Sequence, residues 1–114
     1  MNTLMELPPT GCFVAVTSTG TEHDLNLTGP TTLWQRRPKA RSEPSRIDNR
    51  FVEVQLIGAW RLFEVARVYV SSGDYTHATT PLISILRDES RCQNDGMEFD
   101  EKGICSLCVM DALL

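Results

Sequence analysis

The chain has 114 residues, with 41% hydrophobic residues, 11 basic against 15 acidic side chains and a formal charge of -4. That length fits one domain with one modest core and excludes a catalytic domain with a separate cofactor lobe. The composition is too apolar for a wholly disordered chain, too charged for a membrane protein, and too acidic for a general nucleic-acid binder.

Residues 1–10 have neither a basic head nor an apolar run, and Pro8-Pro9 excludes regular helix there. No secretory leader is visible, so a cytoplasmic setting is the expectation. Cys12 to Thr17 follows Gly11 and is β-branched and aromatic, which predicts a strand. From Ser18 to Thr32 turn-forming residues dominate, with Leu25 and Leu27 marking a brief second strand.

Residues 36–50 carry six bases (Arg36, Arg37, Lys39, Arg41, Arg46 and Arg50) against Glu43 and Asp48. Pro38, Pro44 and the lack of apolar side chains predict a flexible basic loop at about 35–49, inserted within a single domain spanning 1–114. Phe51 to Ile57 alternates, with Val52, Val54 and Leu56 on one side and Glu53 and Gln55 on the other, which predicts a strand exposed on one face. Gly58 permits a turn. Residues 60–70 fit either a helix with a polar stripe or a strand, and the β-branched and aromatic residues Val65, Val68, Tyr69 and Val70 favour a long strand. On that strand Phe63, Val65 and Tyr69 lie opposite the core side.

Pro81 can open a helix, yet Leu82 to Leu86 reads slightly better as a strand because Asp88 and Glu89 would sit unfavourably at a helix C-terminus. Residues 90–103 are polar and turn-rich. Ile104, Leu107, Cys108 and Ala112 recur at near-helical spacing, so a short closing helix is expected. The resulting expectation is a small α+β domain, an antiparallel sheet of four or five strands covered by one or two short helices.

Chemistry-bearing patterns are few. Cys105 and Cys108 form a C-x2-C pair that, with Cys92 and one of Cys12, His23 or His77, matches zinc-ligand spacing. Ile104, Leu107, Val109 and Met110 enclose that pair, so buried thiols are the expectation and no metal or cofactor is assigned. His23-Asp24 and the Asp74/His77 pair read as loop histidines with their neighbours. No phosphate-binding glycine loop or zinc-protease motif occurs, and no catalytic residue is assigned.

A non-enzymatic protein that acts by binding is the functional expectation: a regulator, inhibitor or assembly subunit. An apolar second face carrying Phe63 and Tyr69 calls for a protein partner or a homodimer. The alternative is a nucleic-acid module, with Trp34 stacking on a base while Arg36, Arg37, Lys39 and Arg41 meet phosphates through residues 36–50.

Overall fold

The computed structural model of the protein describes residues 3–39 and 48–91. Seven strands run through them: β1 (Cys12–Thr17), β2 (Glu22–Asn26), β3 (Thr32–Arg37), β4 (Val52–Ile57), β5 (Arg67–Val70), β6 (Tyr75–Ala78) and β7 (Leu82–Arg87). They form one sheet in the order β6-β5-β4-β3-β2-β1-β7, and every neighbouring pair is antiparallel.

This overturns the α+β expectation. No described residue is helical. Leu82–Arg87 is a strand, as the acidic residues after it favoured over the helix that Pro81 could open, and it pairs along β1, with Ala15 opposite Ile85 and Phe13 opposite Arg87. Isoleucine-rich segments gain more from an open strand edge than from a lone helical turn, because the ladder satisfies their backbone while both branched side chains stay staggered. The expected closing helix at 104–114 lies outside the described residues. No helix among the described residues is long and apolar enough to cross a membrane.

Local sequence explains most turns. Between β1 and β2 the chain reverses at residues 18–21, where the Thr17 amide donates to the Thr21 carbonyl and Gly20 takes a φ of 88°. Such an angle is open to glycine at no steric cost. β3 extends through Gln35, Arg36 and Arg37, so the first part of the segment expected as loop is strand. β5 is shorter than the long strand expected at 60–70. Trp60 turns inward, its indole donating to the Arg67 carbonyl at 3.1 Å, and Phe63 sits at a φ of 68°, which extended backbone does not permit.

The sheet coils strongly, although its edge strands β6 and β7 do not pair with one another. His23 on β2 and His77 on β6 have ring centroids 6.0 Å apart, although three strands lie between them in sheet order. The outer edge of β7 is also occupied: the Leu4 amide donates to the Ile85 carbonyl at 2.8 Å, and the Phe63 amide to the Leu82 carbonyl at 2.7 Å. The Leu82 amide donates in turn to the Glu64 carbonyl at 3.1 Å. Right-handed strand twist drives such coiling, and covering the β7 edge removes a site for unwanted pairing. The enclosed core comprises Ala15, Leu25, Trp34, Val54, Trp60, Ala66, Val68, Val70, Leu82 and Ile85.

Candidate functional site

Cross-strand register determines which side chains enter the barrel-like interior. His23 stands opposite both Ala15 and Arg36, and Leu25 opposite both Phe13 and Trp34, so all of these share one face. That alternation carries a histidine and an arginine inward beside the apolar residues. Neither sits there uncompensated. The Trp34 indole Nε1–H donates to His23 Nδ1 at 2.9 Å, and the two rings stack at 5.8 Å with planes 10° apart. Arg36 forms an ion pair with Asp48 at 2.7 Å, with side-chain exposures of 8% and 7%.

His77 completes the cluster, 5.4 Å from Trp34 and 6.0 Å from His23, and Trp60 meets His23 edge-on at 6.1 Å. Burial pushes the His23 imidazole down to about 3, with further lowering from His77 and Arg36 and partial opposition from Asp48. His77 is lowered for the same first reason, then by Arg36. Both imidazoles are therefore neutral at physiological pH, and His23 acts as a hydrogen-bond acceptor. A neutral imidazole holding an indole is a structural device that joins β2 to β3. No group of three or more His, Cys, Asp or Glu side chains among the described residues is placed to hold a metal ion.

The opposite face carries a second polar network. Arg37 grips Asp24 through two bonds, Nε to Oδ2 at 2.6 Å and a terminal nitrogen to Oδ1 at 2.7 Å, and also reaches Glu22 at 2.7 Å. Gln35 donates to Asp24 as well, and Lys39 lies 3.9 Å from Glu22. The base-rich run thus begins by neutralising acids on β2, its antiparallel neighbour.

Surface-exposed apolar side chains gather elsewhere. Phe63 is 70% exposed, Met5 68% and Ile83 51%, with Val65 also exposed. Backbone bonds bring these residues to one edge. The Leu62 amide donates to the Met5 carbonyl at 2.9 Å, and the Phe63 amide donates to Leu82, one residue before Ile83. Phe63 is both the most exposed of the four and the one in left-handed backbone, a conformation that is a genuine outlier for a bulky residue. A separate groove of about 460 Å³ is lined by Leu7, Pro8 and Leu27 together with Thr32, Glu53 and Gln55 among others, and by none of the four edge residues.

The residues singled out from sequence scatter accordingly. Trp34 is wholly buried and offers no ring face to an external base. Arg36 is an interior ion-pair member, Arg37 and Lys39 are engaged with β2, and Arg41 lies outside the described residues. Tyr69 is half-buried, its hydroxyl donating to Asp74 in the β5–β6 turn. Phe63 stands at the apolar edge. Cys12 is a buried free thiol, while Cys92, Cys105 and Cys108 lie outside the described residues.

Met5 and Ile83 were not legible as members of this edge. Ile83 follows the core residue Leu82 in an apolar run that does not single it out, and Met5 sits in a segment with no periodicity. His23 and His77, which sequence reading assigns to loops, are both on strands. Comparisons with protein-family models, with curated proteins and with solved structures find no match.

Proposed function

We propose that this protein works by binding another protein chain, without chemistry of its own, through the apolar edge centred on Phe63. The observation that carries this reading is the pairing of strain with exposure: an aromatic ring 70% open to water is held at a φ of 68°. Left-handed backbone costs about 1–2 kcal/mol for a residue with a Cβ, and a phenyl this exposed has most of its surface left uncovered within the monomer. A hydrogen bond from the Phe63 amide to Leu82 at 2.7 Å and the adjoining Leu82–Glu64 bond hold the conformation. Strain maintained in this way presents a preorganised aromatic anchor, the kind of residue that dominates binding energy when a partner covers it.

Met5, Val65 and Ile83 supply the apolar surround, and the exposed Arg61–Glu6 pair at 2.7 Å supplies a polar rim. Protein binding is favoured over nucleic-acid binding because the basic run spends Arg36 and Arg37 on internal acids and Trp34 on the core.

A photo-reactive phenylalanine analogue placed at position 63 tests the reading in cells that express the protein, with the same analogue at exposed Thr76 as control. A discrete adduct from position 63 and none from position 76 is the expected result. Equal or absent cross-linking at both positions refutes it.

A further inference from the structure

Strand β6 is held differently from the rest of the sheet. It lies at one end, pairs only with β5, and none of its Cα atoms comes within 8 Å of any other strand. Beyond β5, a side chain joins it to the body of the protein. His77 stands opposite the fully buried Val68, which puts it on the inward face of the edge strand. Its ring reaches Trp34 of β3 at 5.4 Å and His23 of β2 at 6.0 Å. The two ends of β6 are fastened unequally. The turn before it is closed by long bonds, from the Gly73 amide to the Val70 carbonyl at 3.3 Å and from the Asp74 amide to the Ser71 carbonyl at 3.4 Å. After it, Thr79 is pinned to Ala66 twice, donating through its amide at 2.8 Å and accepting at its hydroxyl at 3.0 Å.

The groups facing His77 are His23 from β2, Trp34 and Arg36 from β3, Asp48 ahead of β4, and the apolar Val68 of β5. Tyr75 shares its side of β6, while Asp74 in the turn is bonded to Tyr69. Arg36 is a fixed cation, and Asp48 is already its counter-ion at 2.7 Å. A proton on His77 therefore sets a second cation against one carboxylate. Asp48 and the face of Trp34 offset part of that repulsion, but neither replaces the water that the closed strand excludes. Half-buried His77 regains that water when four edge residues lift away, whereas wholly buried His23 regains it only if β2 and β3 part. We propose that His77 is an acid-released clasp: protonation there frees β6 from the edge of β5, with Thr79 as the anchor, while the rest of the sheet stays paired. Burial holds the closed form below the ordinary imidazole value of 6.5, so closure is fully favoured above that pH and opening gains as pH falls below it. Opening uncovers the backbone edge of Arg67–Val70 and the inward side of Val68, and it is independent of what the Phe63 edge binds.

Amide hydrogen exchange of the full chain, followed by NMR and expressed as protection factors, tests the clasp at about pH 7 and about pH 5. In wild type the amides shared by β5 and β6 are expected to lose about tenfold in protection between the two values, and to stay less protected than those shared by β1 and β2 at both. His77→Gln and His77→Phe each remove the proton site, the second keeping a ring against Trp34, and in either the pH-dependent loss at β6 is expected to vanish. His23→Gln is expected to retain it, which separates the clasp from the acid sensitivity of the whole fold. Wild-type protection at β6 that is the same at both pH values, or that falls only in step with β1 and β2, overturns the proposal without recourse to a variant. An undiminished loss in whichever His77 variant folds overturns it as well.

Discussion

Acidification tests the interior polar cluster directly. In the unfolded chain His23 has the ordinary imidazole value of 6.5, whereas in the folded protein burial holds it at about 3. Because the folded value lies below the unfolded one, protons bind the unfolded chain first. The stabilisation is therefore complete above pH 6.5 and is lost progressively as pH falls toward 3. Each pH unit inside that window costs about 1.4 kcal/mol, so at about pH 5 His23 alone removes about 2 kcal/mol. His77 shifts in the same direction and adds to the loss. The groups facing His23 reinforce the sign: Arg36 and His77 oppose its protonation, and only Asp48 favours it. Urea unfolding at about pH 7 and pH 5, on wild type and on His23→Gln, measures the effect. The glutamine keeps a hydrogen-bond acceptor and has no proton to gain, so its stability should fall by about 2 kcal/mol less between the two pH values. Equal losses in the two proteins would refute the placement of a buried neutral histidine at the β2–β3 junction.

Four substitutions extend the same reasoning. Trp34→Phe keeps an aromatic in the core but removes the Nε1–H donor to His23, and should cost about 1–3 kcal/mol in urea unfolding. Asp48→Ala takes the carboxylate from the buried Arg36 guanidinium and should lower stability by about 3–5 kcal/mol, the largest loss of the set. Phe63→Gly relieves the left-handed strain and should raise the melting temperature, reflecting about 1 kcal/mol, while abolishing association at the apolar edge; a fall in melting temperature would show that the ring is held by packing. Arg61→Ala breaks an exposed, solvent-screened pair and should leave monomer stability almost unchanged, as measured by chemical denaturation.

Individual strands were legible from sequence where one face is wet. β4 showed itself through Val52, Val54 and Leu56 alternating with Glu53 and Gln55, and β1 and β7 through short β-branched runs bounded by Gly11 and Pro81. Alternation of that kind is a local property of strand geometry, so a single sequence carries it. β6 left almost no trace, since Tyr75–Ala78 is four residues long and mostly exposed. The absence of helix in the described residues was not legible either, because short runs of Leu and Ile are compatible with both states until a neighbouring strand supplies a hydrogen-bonding edge.

The tertiary structure alone decided which polar residues go inside. Arg36 looks in sequence like one more cation in a solvated run. It becomes interior because β3 pairs with β2 in the register that sets it opposite His23, and Asp48 is near enough to neutralise it. Phe63 shows the converse. It was expected on the outer face of a strand at 60–70, but β5 begins only at Arg67, and Phe63 is exposed from a left-handed turn instead. That conformation belongs to the turn closed by the Glu64 amide on the Arg61 carbonyl at 3.2 Å, with the bonds of residues 62–64 to Met5 and Leu82 fixing it against the rest of the chain. Sequence determines the propensity of each segment, which is a local quantity; register and coiling come from pairing between segments far apart in the chain, and these are settled only when the sheet assembles.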